Sequence, residues 1–235
     1  MPLFDEGRLM FLHIPKTGGT SIEQMFKDNE MFNFSEDNLF SPWGEFGRRS
    51  LQHLTFGEVC AMFPDKMDRV SGVFAVVRHP VKRLMSEYLY QKQKLFVGTA
   101  EVPALGIPDV ERYKAEFLCS FDMFIHRSYS VFMNNPSMLD NHFLPQAAFL
   151  QGLEGHPLSS RTKIYRFEDS IRGECTIMSD IARDFFGGRD PWKEEYDLPH
   201  KYRTSKRKEA IHPQPSTMSL IRTWYQIDFD FFGYK

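Results

Sequence analysis

The segment that most constrains this chain lies near its start, where residues 11–26 read FLHIPKTGGTSIEQMF. The apolar residues at its beginning predict a buried strand, and the apolar spacing that follows predicts a helix over 20–29. Between them, two glycines let backbone N–H groups approach a ligand closely, and Thr20 or Ser21 is expected to cap the helix. The helix N-terminus and the charge of Lys16 together favour an anion such as phosphate.

The position of the lysine separates this loop from the common nucleotide-binding P-loop. Lys16 precedes Gly18 and Gly19, whereas the motif G-x-x-x-x-G-K-[ST] places its lysine after the glycines. That motif does not occur in the 235 residues. The loop is therefore predicted to bind phosphate in a different kind of protein from the usual ATP or GTP hydrolases.

A second strand followed by a helix indicates which kind of phosphate ligand is bound. Residues 72–90 read GVFAVVRHPVKRLMSEYLY, with Arg78 at the end of the predicted strand and Pro80 at the first position of the helix. A nucleotide triphosphatase would be expected to carry an aspartate there, which holds magnesium. Arginine binds a phosphate directly through its fork of donors. Ser86, about two helical turns further on, is placed to offer its hydroxyl to the same anion.

Together these segments resemble the sulfotransferases that use 3′-phosphoadenosine 5′-phosphosulfate (PAPS), in particular the carbohydrate 2-O- and 4-O-sulfotransferase-like family (sulfotransferase family 2 type). HIPKTGGTS resembles the 5′-phosphosulfate loop of that family, and VVRHPVKRLMSEY resembles its 3′-phosphate motif. Further similar segments are HFLPQAAFL at 142–150, KIYRFEDS at 163–170 and SLIRTWYQIDFDFFGY at 219–234. One departure is HKYRTSKRK at 200–208, where the family is richer in Asn and Ser.

The resemblance implies an α/β fold with a central parallel sheet flanked by helices, the P-loop-NTPase-like sulfotransferase fold, in a single domain over residues 1–235. The ligand is expected outside the carboxyl ends of the strands. Periodicity predicts strands near 8–14, 72–78 and 162–167. It predicts helices near 20–29, 55–63, 80–94, 111–128, 168–186 and 216–227.

The resemblance also implies roles for particular residues, with PAPS as donor and its desulfated form PAP as product. The sequence contains neither H-E-x-x-H nor a cysteine-rich zinc spacing, so no catalytic metal is expected. The residues expected to bind the donor are Lys16, Thr17, Gly18, Gly19, Thr20, Ser21, Arg78, Ser86, Lys201, Arg203 and Ser205. Lys16 is also a candidate catalytic residue. Sulfuryl transfer leaves negative charge on the departing 5′-phosphate, and a cation there stabilises it.

The second candidate catalytic residue is His53, which matches the position of the family's catalytic histidine. A neutral imidazole is well suited to accept the proton of an acceptor hydroxyl, here expected to belong to a carbohydrate. Glu58 is the alternative base, and the alternative interpretation of His53 is a structural partner before the helix cap at Thr55. His13 and His79 are expected to form hydrogen bonds around the loops. An atypical nucleotide kinase and a non-catalytic nucleotide-binding protein stay open as alternative functions.

Charge and cysteine content indicate which binding partners and which cellular compartment to expect. Lys plus Arg number 29 against 31 for Asp plus Glu, so the net charge of −2 gives no general attraction to nucleic acid. Cys60, Cys119 and Cys175 show no paired spacing and are expected to be reduced thiols. Met1 lies too close to the first strand for a signal peptide, and no apolar run is long enough to span a membrane. We therefore expect a soluble cytoplasmic protein.

Overall fold

The computed structural model of the protein describes residues 3–31, 51–97, 110–137, 139–172, 176–189, 191–192 and 211–235. The chain divides into two compact units. The first, called the sheet unit here, comprises residues 1–78 and 148–201, and the second, called the helical unit, comprises residues 79–147 and 202–235. Each unit has a hydrophobic core of its own.

The sheet unit is built on a four-stranded sheet whose strands lie in chain order. The strands are β1 (Leu3–Phe4), β2 (Leu9–Leu12), β3 (Gly72–Val77) and β4 (Thr162–Arg166). β2, β3 and β4 are parallel, with Phe11 opposite Phe74, whereas β1 pairs antiparallel with β2. Every residue of β2 and β3 is buried, as expected of central parallel strands. The predicted α/β class is confirmed, and the antiparallel β1 is an addition to it.

Helices occur in both units. They are α1 (Gly19–Asp28), α2 (Phe56–Met62), α3 (Pro64–Met67), α4 (Pro80–Val97), α5 (Val110–Phe117), α6 (Phe121–Phe132), α7 (Thr176–Phe186), α8 (Pro215–Trp224) and α9 (Gln226–Phe232). Short 3₁₀ turns lie at Leu51–His53, Gln146–Leu150, Ser159–Arg161 and Phe167–Arg172. The helices α1, α2, α3 and α7 belong to the sheet unit, and the others belong to the helical unit.

Aromatic stacking holds α1 against the sheet. The rings of Phe4 and Phe26 stack with centroids 3.8 Å apart, and those of Phe11 and Phe74 stack at 4.7 Å. Ile181 of α7 is buried in the same cluster. Full burial of each such side chain contributes about 1.5–3 kcal/mol. Both ends of the loop that joins β2 to α1 are therefore firmly anchored.

Two buried charged residues fix residues 142–147 within the helical unit. Arg83 donates hydrogen bonds of 2.8 and 2.9 Å to two carbonyl groups of this segment. Asp228 accepts bonds of 2.8 and 2.9 Å from two of its backbone N–H groups, and burial raises the pKa of Asp228. Aromatic rings around Trp224 complete the core of this unit. These hydrogen bonds fix the backbone conformation of residues 142–147, although the first residues of this segment form neither a helix nor a strand.

Three predicted helices are interrupted in the structure. The helix predicted over 111–128 ends before Ser120, whose hydroxyl caps α6 by accepting a backbone N–H. The one predicted over 168–186 begins instead as a 3₁₀ turn that precedes α7. The one predicted over 216–227 breaks at Tyr225, between α8 and α9. Apolar spacing continues across each break, so periodicity alone does not reveal it.

Two further sequence predictions concern cysteines and membrane spans. Cys60 and Cys119 are free thiols, and Cys175 lies outside the described residues. Within the part of the chain that the structure describes, no helix combines the length and the apolar character needed to cross a membrane.

Candidate functional site

The loop between β2 and α1, residues 13–18, reverses direction through two residues in the left-handed region. Lys16 has a φ of 67° and Gly18 a φ of 90°. A positive φ is uncommon for a residue other than glycine and is a frequent mark of functional loops. Thr17 is fully buried, and its hydroxyl donates to the carbonyl of Ile14 at 2.9 Å. This hydrogen bond within the loop stabilises its conformation. The helix α1 begins directly after Gly18.

The N-terminus of α1 is capped by backbone geometry. Gly18 occupies the N-cap position, and no side chain forms a capping hydrogen bond there. The prediction that Thr20 or Ser21 caps this helix is wrong, because the left-handed turn at Gly18 starts the helix before them. Both hydroxyls lie in the first turn of α1 instead. They accompany the positive end of the helix dipole, where an anion is favoured.

Both glycines of the loop lie in close contact with aromatic side chains. A Cβ atom at Gly18 would lie 2.8 Å from the ring of Phe167, and one at Gly19 would lie 2.2 Å from Nε2 of His13. Gly18 is needed for its φ as well, whereas Gly19 has no such backbone requirement. Glycine is thus required at both positions, for reasons that lie in the packing of the loop.

Gly19→Ala is expected to destabilise the protein by about 1–3 kcal/mol, because the added methyl group forces the His13 ring out of place. Gly57→Ala is the matched control in the first turn of α2. A Cβ at Gly57 would lie 3.4 Å from the backbone oxygen of Gln151, an ordinary contact distance, and alanine is favoured over glycine in a helix by about 0.5–1 kcal/mol. Urea unfolding of both variants measures the difference. Equal free energies of unfolding would contradict the expected overlap at Gly19.

Arg78 follows β3 at the carboxyl edge of the sheet and contacts the loop. Its Nη1 donates a hydrogen bond of 3.2 Å to the carbonyl of Lys16. Its guanidinium lies over the ring of Phe167, with 4.5 Å between Cζ and the ring centroid. The structure therefore brings Arg78 together with Lys16, as the two sequence motifs suggested. Phe167, which follows β4 at the same edge, contacts both Arg78 and Gly18 and was not predicted as a site residue.

A polar cluster of buried His13, Glu23 and His53 with half-buried Gln52 lies beside the loop. The carboxylate of Glu23 accepts from Nδ1 of His13 at 2.5 Å, and from Nε2 of Gln52 at 2.8 and 3.0 Å. Burial opposes ionisation of Glu23, but the charge of His13 and these hydrogen bonds hold its pKa below the usual range. Ionised Glu23 therefore stabilises the fold above the unfolded-state pKa, and this contribution is lost as the pH falls through the lower folded-state pKa.

His53 lies one imidazole ring away from the start of α1. Its ring meets that of His13 edge-on, with centroids 5.0 Å apart, and His13 in turn lies against Gly19. Glu58 has a different setting. Its carboxylate accepts the backbone N–H of Thr55 at 2.8 Å and completes a capping box at the start of α2. The two candidate bases thus differ, since Glu58 has a capping role that His53 does not share.

Among the remaining predicted donor ligands, the structure describes only Ser86. Ser86 is half-buried in α4 and belongs to the helical unit. Lys201, Arg203 and Ser205 lie outside the described residues. His79, expected to form hydrogen bonds around the loops, has its Nε2 3.2 Å from a backbone oxygen of Lys235, the last residue of the chain.

The helical unit contains a second histidine–carboxylate pair. Nδ1 of His142, in the HFLPQAAFL segment, lies 2.8 Å from a carboxylate oxygen of buried Glu87. Gln91 donates to the other oxygen of Glu87 at 2.6 Å, and Tyr113 donates to Gln91. Sequence reasoning had noted the segment only for its resemblance. The i,i+4 spacing of Glu87 and Gln91 on a helix is the signal that could have indicated their contact.

Comparison with known families is consistent with this arrangement. The model of a family described as the sulfotransferase family matches residues 3–235, which is essentially the whole chain. No curated protein and no solved structure matches the chain significantly. The match covers the loop, Arg78 and His53 alike, and it includes both compact units.

Proposed function

The chain belongs to the sulfotransferase family, and from that premise we propose that it transfers a sulfuryl group from PAPS to a hydroxyl group of a carbohydrate. The observation that carries the proposal is the grouping of three features in the sheet unit. A loop with two obligatory glycines leads into a helix, Arg78 is bonded to that loop, and the His53 ring lies one ring away from it. These are the parts that a donor with two anionic groups and a hydroxyl acceptor require.

The chemistry of the loop fits the 5′ end of PAPS. The start of α1 offers backbone N–H groups and the positive end of the helix dipole to an anion, and Lys16 adds a full positive charge. Arg78 offers a planar fork of donors for the 3′-phosphate. We expect Ser86, Lys201, Arg203 and Ser205 to contribute to donor binding as well. We also propose that residues 1–235 function as one sulfotransferase domain.

Two side chains have distinct chemical roles in this proposal. The acceptor oxygen forms a bond to sulfur while the bond from sulfur to the bridging oxygen of the donor breaks, and PAP leaves. Lys16 stabilises the negative charge that develops on the leaving phosphate. His53 accepts the proton of the acceptor hydroxyl. Glu58 is less suited to that task, because its carboxylate already accepts the backbone N–H of Thr55.

Arg78 distinguishes this reaction from phosphoryl transfer. A nucleotide kinase of the P-loop type needs an acidic ligand for magnesium near the end of the second strand. Here β3 is followed by a guanidinium that is bonded to the loop. That position favours a phosphate of the nucleotide itself. The preference for a carbohydrate acceptor comes from the motifs that resemble the carbohydrate 2-O- and 4-O-sulfotransferase-like family.

The direct experiment incubates the purified protein with PAPS and a panel of glycans and simple alcohols. Product formation is followed by mass spectrometry. The expected result is the mass of one added sulfuryl group on at least one glycan. Binding of PAPS without any sulfated product across the panel would favour the non-catalytic nucleotide-binding alternative.

PAP is expected to stabilise the fold more than ATP with magnesium does. A ligand that binds only the native state adds about 2.7 kcal/mol at a hundred times its dissociation constant. PAP has phosphates at both ends of the nucleoside, which suit the loop and Arg78, whereas ATP lacks the 3′-phosphate. Thermal unfolding with each nucleotide at equal concentration measures the preference. Equal shifts in melting temperature would contradict it.

A further inference from the structure

Glu23 links two pieces of chain that carry different parts of the proposed site. His13 directly follows β2 and begins the loop of residues 13–18, called the donor loop here. Gln52 lies in the 3₁₀ turn Leu51–His53, called the His53 turn here. Both side chains donate to the Glu23 carboxylate. Through these bonds a single carboxylate fixes the donor loop and the His53 turn to the same point of α1.

The burial of Glu23 shows that these contacts are required by its environment. The residue is only 6% exposed. A buried carboxylate is costly unless it is paired and hydrogen-bonded. Glu23 has both kinds of support, because Gln52 contacts both of its oxygens and His13 contacts one. Loss of either donor would leave an incompletely satisfied buried charge, so the cluster strongly prefers this one arrangement.

The same contacts orient the two imidazoles relative to each other. With Nδ1 of His13 held by Glu23, the ring meets His53 edge-on at an interplanar angle of 89°. The other side of the His13 ring lies against Gly19 at the start of α1. His13 therefore acts as a spacer between the helix start and His53, and Glu23 determines its orientation.

We propose that Glu23 is a positioning residue that, through His13 and Gln52, holds the base His53 at a fixed distance from the donor loop. The proposal rests on the proposed function for the role of His53. Glu23 itself contacts neither reactant in this scheme. Its effect on the reaction is geometric, since misplacement of a reacting group by about 1 Å can lower a rate by about a hundredfold.

Two variants test the proposal. Glu23→Gln removes the charge and part of the acceptor capacity, and Gln52→Met removes only the link to the His53 turn at nearly constant side-chain volume. Both are expected to lower kcat by about tenfold or more while the KM for PAPS changes little. Glu30→Gln is the matched control, because it makes the same chemical change on an exposed residue directly after α1, and it should leave kcat unchanged.

A second readout does not depend on activity. In the wild-type protein, nuclear Overhauser contacts are expected between ring protons of His13 and His53, whose centroids lie 5.0 Å apart. These contacts should be lost or strongly weakened in Glu23→Gln and Gln52→Met and retained in Glu30→Gln. If Glu23→Gln fails to fold, Gln52→Met decides the matter alone.

The outcomes separate the two claims. A wild-type protein that sulfates nothing would overturn the proposed function, and the ring contacts would still test the role of Glu23. Folded Glu23→Gln and Gln52→Met proteins that keep the contacts between His13 and His53 would overturn the positioning role. Loss of those contacts together with unchanged kcat would overturn it as well, because the orientation would then not matter to the reaction.

Discussion

His53→Ala is expected to lower turnover by about a hundredfold or more, since general-base catalysis typically contributes 10²–10⁴ in rate. The affinity for PAP should stay close to that of the wild-type protein, because the loop and Arg78 retain their contacts with each other. Turnover of the wild-type protein should also fall at low pH, where a protonated imidazole cannot accept the hydroxyl proton. Single-turnover kinetics with saturating PAPS, combined with calorimetry for PAP, separates the two effects.

Glu58→Gln is the informative comparison for this prediction. It keeps an oxygen that can accept the backbone N–H of Thr55 but removes a negative charge from the first turn of α2, so a loss of stability of only about 0.3–1 kcal/mol is expected, with the proton-transfer step intact. The assignment of the base to His53 would be wrong if Glu58→Gln were inactive while folded and nucleotide-bound, and His53→Ala remained active. Nucleotide affinity is measured on both proteins, because local unfolding of α2 would imitate a catalytic loss.

The pattern of hydrophobic residues in the sequence predicted the strands that are buried in the core of the sheet. The strands β2 and β3 lie within the predicted ranges, because continuous apolar runs in an α/β protein are central parallel strands. The strand β4 also lies within its predicted range, although it is at the edge of the sheet and only Tyr165 in it is buried. The antiparallel β1 is only two residues long and has no pattern of its own. The breaks at Ser120 and Tyr225 were missed for another reason, since they depend on capping and local backbone geometry rather than on which residues are apolar.

The parts of the candidate site whose residues lie close together in the sequence could be predicted. The loop and its two glycines stand in one segment, so the phosphate-binding hypothesis needed no tertiary information. The contact between Arg78 and Lys16 followed from two strands that end at the same edge of a sheet. Phe167 was missed because its role depends on contact with Arg78, which is distant from it in the sequence. Glu23 was missed because its role depends on its burial within a helix. Neither leaves a mark on spacing or composition.

Lys16→Ala is expected to lower kcat by about a hundredfold, since removal of one group that stabilises transition-state charge typically costs 10²–10³. The charge of Lys16 matters most when the leaving phosphate develops its own, so the rate should suffer more than the ground-state affinity for PAPS. Lys27→Ala is the matched control, because Lys27 is an exposed lysine in the last turn of the same helix region. It should leave both quantities unchanged.

Arg78→Ala is expected to weaken the affinity for PAPS more than it lowers kcat, which is the opposite of the result expected for Lys16→Ala. Its guanidinium is proposed to bind the 3′-phosphate, which takes no part in the bonds that form and break. Loss of such a charge-assisted contact is expected to weaken donor affinity by roughly 1.5–3 kcal/mol. Steady-state kinetics over a range of PAPS concentrations, with calorimetry for PAP, distinguishes the two variants. If Lys16→Ala raised only the KM for PAPS and kept the wild-type kcat, Lys16 would be a phosphate anchor, and the transition-state charge would have to be stabilised by the N-terminus of α1 or by another cation.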